Sequence, residues 1–247
     1  MKVVVSLSGG RDSSTCLGLA CEKFGSENVY AIGFVYGSKH PQEIEAAKEI
    51  AEYYGVDYQV IEINSNIFDG STSTLLEGRD DVEKDKTYDE ILKEKKGAVD
   101  TYVPARNTLF SAYALAKAES ISQKFNGGEV LIMLGQHADD SGFDENGVLD
   151  ETKAAYPDCT LAFVKAMGEV VKISSSGKVS YWTPFVKQHK YELIKVGMNL
   201  KKPVPYDKCF SCYEPVWDHK KHKWVECGRC ATCLDAIEAE KKAGYRK

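Results

Sequence analysis

The stretch that most narrows the possible folds is VVVSLSGGRDSSTCLGLA, residues 3–20. Val3-Val4-Val5 is a β-branched run suited to a strand buried on both faces. Gly9 and Gly10 then permit a tight turn. From Ser13 to Phe24 the apolar positions Leu17, Leu19, Ala20 and Phe24 predict a helix. Strand, glycine turn and helix together make the first half of a βαβ unit. The rhythm continues with a strand over 29–36 and a helix that opens at Pro41, where a missing N–H does no harm, and stops at Gly55. A third strand follows over 57–63. Alternation of this kind predicts a parallel sheet with helices on its faces.

Further along, VPARNTLFSAYALAKAESI starts after a proline and becomes a long apolar-faced helix, and EVLIMLG (129–135) is a fourth strand. CTLAFVKAMGEVVKI is a helix, KVSYWTP a short fifth strand, KYELIKVGMNL another helix and CLDAIEAEKKAG a closing one. The expected architecture is therefore α/β: a Rossmann-like, doubly wound parallel sheet of five strands over residues 1–200. A small cysteine-bearing subdomain, 201–247, is expected to pack against it. Two segments break the rhythm. Residues 64–100 are polar, charged and weakly periodic, suiting either a mobile excursion over a site or a solvated surface insertion. A long acidic loop follows the fourth strand.

Composition bounds the function. At 247 residues, 43% hydrophobic and 28% charged, the chain is long enough for a sizeable core. A net charge of -5 disfavours a nucleic-acid or anionic-membrane partner held by bulk attraction. No apolar run approaches the ~20 residues of a membrane span. The N-terminus runs from one lysine straight into a strand, unlike a cleaved signal peptide, so a cytoplasmic location is expected.

The glycine turn suits phosphate, because a helix start offers unpaired N–H groups and a positive dipole end. It lacks the lysine of a Walker A loop and is not the dinucleotide GxGxxG pattern. Asp12 beside phosphate is tolerable if Mg²⁺ lies between them, a hard ion taking oxygen from both sides. Ser8, Ser13 and Ser14 can bond phosphate oxygens without adding charge. Near the C-terminus, CFSCYEPVWDHKKHKWVECGRCATC places Cys209, Cys212, Cys227, Cys230 and Cys233 within 25 residues. Three CxxC steps predict a tetrahedral thiolate site for Zn²⁺, and a complete four-cysteine set would make the metal structural. Spacing alone accepts a Cys209/Cys212 pair facing two of the later three. His219 and His222 are either substitutes or part of an exposed basic stretch.

The string Ser8-Gly9-Gly10-Arg11-Asp12-Ser13-Ser14 matches the SGGxDS pattern of PP-loop ATP pyrophosphatases, in which the turn holds the pyrophosphate released from ATP. Within that superfamily the chain resembles the 7-cyano-7-deazaguanine synthases. VPARNTLF (103–110) is similar to their GRN segment, YPDC (156–159) to part of their SGYPDC motif, and TPFVKQHKYE to a segment whose lysine falls at Lys190. CYE followed by CGRCATC resembles their zinc knuckle, with Cys212, Cys227, Cys230 and Cys233 at the ligand positions. His40 also falls where those enzymes carry a histidine. These matches run in order from residue 6 to 233.

The resemblance implies conversion of 7-carboxy-7-deazaguanine, ammonia and ATP into a nitrile through an acyl-adenylate and an amide, by an ATP-dependent ligase of the queuosine precursor pathway or a related DNA or RNA modification pathway. It implies ATP binding by residues 8–14, catalytic roles for Asp12, Arg106 and Lys190, and substrate binding by Arg106, Asn107, Tyr156, Pro157 and Asp158. Asp158 is equally suited to capping the helix that follows it. An arginine at a helix start opposes the dipole unless an anion is near, which favours a binding role for Arg106. A homodimer is implied as well.

The chain also departs from the pattern. Thirteen residues, FDENGVLDETKAA, separate DDSG from YPDC; Ala105 replaces a glycine; Cys209 is additional. The insertion suits a protein partner, a dimer contact or plain surface. Attachment of a deazaguanine to a protein, a tRNA-modifying ligase and a non-catalytic zinc-knuckle binder are the alternatives. Acidic balance counts against the second, and retention of SGGRDSS and VPARN against the third.

Overall fold

The computed structural model describes residues 1–94, 99–144 and 146–246. Among them five strands form one all-parallel sheet: β1 (Lys2–Ser6), β2 (Val29–Val35), β3 (Asp57–Glu62), β4 (Val130–Met133) and β5 (Val179–Trp182). Their spatial order is β3-β2-β1-β4-β5, and neighbouring strands pair in parallel throughout. Central β1 is flanked on both sides, which is why Val3, Val4 and Val5 are all fully buried. The strand order reverses between β1 and β4. Such a switch point opens a crevice beyond the carboxyl ends of the strands, where α/β proteins hold ligands.

The two sheet faces follow the period-two alternation of strand side chains. Val3, Val5, Leu131 and Met133 face one core. It is covered by α1 (Arg11–Phe24), α2 (Gln42–Tyr54) and α7 (Lys190–Met198). Val4, Ile32, Val130 and Ile132 face the other, covered by α4 (Arg106–Lys124) and α6 (Leu161–Ser174). The predicted strands and helices all appear with ends shifted by a few residues. The first helix starts at Arg11 rather than Ser13, and the closing one, α8 (Ala231–Ala243), before Cys233.

The described residues of the polar segment 64–100 do not form a merely solvated insertion. Phe68, Leu75, Leu76 and Val82 enter the second core, and Thr74 donates to the Asp100 carbonyl (2.9 Å). Its short helix, α3 (Tyr88–Glu94), joins Ile91 and Val99 to Tyr156, Cys159 and Ala231 in a third cluster. Scattered apolar anchors, too few for a period, suffice because each meets a preformed surface. Residues 95–98 of that segment, Glu145 of the acidic loop and Lys247 lie outside the described residues.

The chain after residue 200 returns to the first core, to which Val204, Tyr206, Ala239 and Ala243 contribute. It then forms a small antiparallel hairpin, β6 (Val216–Asp218) and β7 (Lys223–Val225), before α8. Among the described residues no helix is long and apolar enough to cross a membrane. Tyr206 fastens this returning segment: its buried hydroxyl lies 2.7 Å from Thr15 Oγ1 on α1. A neutral hydrogen bond of this kind is worth about 1 kcal/mol net. Tyr206→Phe is therefore expected to lower the urea denaturation midpoint by an amount equal to roughly 1 kcal/mol with an unchanged slope. An unshifted midpoint would mean that the hydroxyl's bonds to Thr15 and to the Ile194 carbonyl (3.3 Å) contribute nothing to folding.

Candidate active site

The turn after β1 sits at the switch point. Gly9 has φ +88°, and a Cβ there would lie 2.3 Å from the Glu43 carbonyl oxygen. Only glycine lets the turn press against α2. From the other side Gly135, just past β4, would put a Cβ 2.8 Å from the Asp12 carbonyl carbon. Gly10 precedes α1 with no side-chain cap, and the first bond of the helix runs from Ser14 N–H to the Gly10 carbonyl (3.0 Å). The N–H groups of Arg11, Asp12 and Ser13 come before that bond and lie at the positive end of the helix dipole. Ser13 Oγ braces the turn by accepting from Ser8 N–H (3.2 Å), and it lies 3.1 Å from the Gly10 carbonyl oxygen.

Ser8, Gly10, Asp12 and Ser13 line a cavity of about 230 Å³. Gly9, Arg11 and Ser14 do not. The Arg11 side chain points away from it. Its Nε donates to Glu240 (2.6 Å), and its two terminal nitrogens donate in parallel to Glu226 (3.0 Å each). Burial alone would lower its pKa, but the two carboxylates outweigh burial and keep it charged. As an expected phosphate ligand it retains only its backbone N–H. Ser14 is fully buried, its hydroxyl donating to the Gly10 carbonyl (2.7 Å).

A charged cluster adjoins Asp12. Lys190, first residue of α7, places Nζ 2.5 Å from Asp235 and 3.5 Å from Asp12. His137 Nε2 lies 3.4 Å from both Asp12 and Asp140, and its Nδ1 3.5 Å from Asp139. Asp139 also accepts from Lys190 N–H (2.7 Å), offsetting a cation that stands at a helix start. Burial pushes the Asp12 carboxyl up, but Lys190 and His137 overcome this and bring its pKa down to about 2. Burial would lower the pKa of His137, yet Asp140 and Asp12 hold it well above its ordinary value. One Asp12 oxygen, Oδ1, is buried with no hydrogen-bond partner. The lysine was expected here. His137, Asp139, Asp140 and Asp235 were not, and their signals were thin: an acidic run just past β4, and an aspartate two residues beyond Cys233.

Arg106, Asn107 and Tyr156 also line the cavity. Arg106 follows Ala105, which takes the left-handed conformation (φ 53°) that suits glycine. Its guanidinium donates to the Tyr36 hydroxyl (3.2 Å). Asp158 neither lines the cavity nor caps the helix after it. Its carboxylate accepts from Asn107 N–H (3.0 Å) at the start of α4, while Thr160 caps α6. Pro157 does not line the cavity either. Three lining residues stand out as unsatisfied in different ways. His40 is 3% exposed with neither ring nitrogen paired. Burial, then Lys39, pushes its pKa down to about 4, so the ring is neutral. Gln136 is 8% exposed and neither amide atom has a hydrogen-bond partner. Burial raises Glu43 to about 8, because Arg106 only partly opposes it.

The thiols of Cys212, Cys227, Cys230 and Cys233 lie within 4.8 Å of one another. Backbone N–H groups of Glu214 and Cys227 point at Cys212 Sγ (3.3 and 3.2 Å), as suits a sulfur carrying negative charge. Four convergent soft donors fit a tetrahedral metal ion. Cys209 is outside the group, buried in the first core with Sγ 3.9 Å from the Pro205 carbonyl oxygen. His219 and His222 are exposed in and beside the β6–β7 turn. Two cluster cysteines also carry cavity wall: Cys212 lies between lining residues Ser211 and Tyr213, and Cys233 follows lining residue Thr232.

The model of the family described as Queuosine biosynthesis protein QueC matches residues 2–244. The 7-cyano-7-deazaguanine synthase of Rickettsia felis is 32% identical over 244 residues, 98% of this chain and 95% of that one. The synthase of Clostridium kluyveri is 34% identical over 252 residues, covering 99% and 95%. That of Thermoplasma acidophilum is 34% identical over 247 residues, covering 98% and 89%.

Glu43 makes the site's electrostatics measurable. Its folded pKa, about 8, exceeds the ordinary 4.5, so between those values the folded state retains a proton that the unfolded state has lost. In the ligand-free protein this group therefore lowers stability as pH rises from 4.5 to 8. Glu43→Gln is expected to flatten that decline, with denaturation midpoints close to the parent's at pH 4.5 and above them at pH 8. Parallel pH profiles for the two proteins would show that Glu43 does not retain its proton.

Proposed function

Because this chain belongs to the QueC family of queuosine biosynthesis proteins, we propose that it makes 7-cyano-7-deazaguanine from 7-carboxy-7-deazaguanine, ammonia and ATP. A carboxylate resists ammonia because it has no leaving group. In the proposed sequence a substrate carboxylate oxygen attacks the α-phosphorus of ATP and pyrophosphate departs. Ammonia then displaces AMP, losing a proton, to give the amide. The amide oxygen attacks a second ATP in the same way. Loss of AMP and two protons leaves the nitrile.

The single observation that carries this reading is the uncapped start of α1 at the β1/β4 switch point, with the Asp12–Lys190 cluster beside it. In the proposal the N–H groups of residues 11–13 and the hydroxyls of Ser8 and Ser13 hold the departing pyrophosphate. Lys190 neutralises charge as it develops there. Asp12, kept ionised, offers its unpartnered Oδ1 to Mg²⁺, which fits a hard cation's need for oxygen. When bound, that ion would withdraw charge from the phosphates. Across the cavity Arg106 takes the substrate carboxylate or the α-phosphate, and Asn107, tied to Asp158, fixes where α4 begins. The four cysteines are assigned to Zn²⁺; a closed thiolate set leaves no position for substrate, so its role is structural. A cytoplasmic homodimer, with 1–200 as the nucleotide-binding part and 201–247 as the metal-binding part, completes the proposal.

The test is incubation with ATP, ammonia and 7-carboxy-7-deazaguanine, followed by mass spectrometry. Nitrile is expected, with two AMP formed per nitrile. Asp12→Ala is expected to abolish turnover and retain its zinc. ATP consumption without nitrile would overturn the reading in favour of transfer to another acceptor. Full activity in the variant would remove Asp12 from the site.

A further inference from the structure

Gln136 is the least explained group in the cavity. It lies three residues beyond the end of β4 and next to Gly135, which touches the backbone of Asp12. The side chain is more than nine-tenths buried, lines the cavity, and has both amide atoms unpartnered. The nearby Tyr181 hydroxyl is held by Ser111 Oγ (3.1 Å), and Ser111 in turn donates to the Asn107 carbonyl (2.7 Å). Tyr181 also interacts with the Gln136 side chain, yet no hydrogen bond of ordinary length joins them, so both amide atoms stay open to a ligand in the cavity that Gln136 lines.

A buried primary amide without partners is unfavourable in the empty protein, and it must meet a donor and an acceptor together to be relieved. Phosphate offers acceptors alone and would leave the amide oxygen unpaired. A group presenting N–H and C=O side by side satisfies both. We propose that Gln136 is a specificity-determining residue that reads an amide-like edge of the second substrate through paired hydrogen bonds. This inference rests on the function proposed above.

On a 7-substituted deazaguanine two such edges lie close together. One is the ring lactam, N1–H with the C6 carbonyl. The other is the exocyclic carboxamide that forms midway through the reaction. Both are near the carboxyl carbon that must meet the nucleotide at the turn, and Gln136 stands beside that turn. The adenine amino edge also pairs a donor with an acceptor, so the experiment must separate it.

Wild type and Gln136→Met are compared by calorimetry with three probes: 7-carboxy-7-deazaguanine, its carboxamide, and α,β-methylene-ATP. Methionine keeps the shape and removes both polar atoms, so the variant is expected to fold with a thermal midpoint at or above the parent's. Carboxamide affinity is expected to fall at least tenfold in the variant, with the ATP analogue within twofold. An equal fall for acid and carboxamide identifies the lactam edge. A fall for the carboxamide alone identifies the exocyclic group. Unchanged affinity for both heterocycles, or a loss confined to the ATP analogue, overturns the proposal. Failure of the wild type to bind either heterocycle defeats the functional reading and this inference together. Binding by the wild type with no change in the variant defeats this inference alone.

Discussion

The site depends on one buried charge. Arg11 sits in the first turn of α1, 6% exposed, and is held by Glu226 and Glu240 from the far end of the chain. A guanidinium loses much hydration at that depth, and removal of one partner from such a group typically costs about 3–5 kcal/mol. The arrangement also fixes geometry. Planar, two-point pairing with Glu226 orients the arginine. Glu226 additionally accepts from Ser211 N–H (2.9 Å), and Phe210 N–H donates to the Gly9 carbonyl (3.0 Å). The glycine turn is thus joined to the segment that bears Cys212 directly through Phe210 and Gly9, and indirectly through Glu226, which pairs with both Arg11 and Ser211. These contacts fix the shape of the turn, which a free loop would not keep.

This linkage gives the cysteine cluster a reach beyond its own knuckle. A metal that gathers Cys212, Cys227, Cys230 and Cys233 also fixes Ser211, Tyr213 and Thr232, which line the cavity. Asp235, on the first turns of α8, reaches back to Lys190 at 2.5 Å. The segment 64–100 closes the other side: Asp85 N–H donates to the Arg229 carbonyl (2.8 Å), and the Tyr88 hydroxyl meets Thr232 Oγ1 (2.8 Å). A metal bound by the four cysteines would therefore help to set the walls of the cavity.

These ties explain what the amino-acid sequence discloses and what it withholds. Elements governed by local rules were readable: Val3–Val5 as a central strand, Pro41 and Gly55 as helix bounds, the CxxC steps as a thiolate site. Groups governed by distant partners were not. Arg11 reads as a phosphate ligand because nothing near it in sequence says that Glu226 and Glu240 will claim it. Asp158 reads as a cap for the next helix, yet its partner is Asn107, fifty-one positions earlier. His137, just past β4, is set by Asp12, which lies in the first turn of α1. Leu75 and Leu76 look like surface residues in a polar run until the second core is present to receive them. Cys209 and Cys212 are equivalent by spacing; only packing puts one in the apolar core and the other in the cluster.

The polar groups around the cavity divide by how they are satisfied. Asp12, Lys190 and His137 carry charges that offset one another beside the glycine turn, while Arg11 is offset by Glu226 and Glu240, so fixed charge stands there without waiting for ligand. His40, Gln136 and Glu43 are the reverse. The first two are buried without partners, and the third is driven toward its neutral form by burial. Each makes the empty protein less stable than an apolar residue of the same shape would. These three local conflicts lie in the wall of one cavity. Conflicts of this sort are relieved when a ligand supplies the missing donors and acceptors. On the proposed reaction, the compensated charges fall to the part of the site that would handle phosphate, and the uncompensated neutral groups to the part that would distinguish one heterocycle from another.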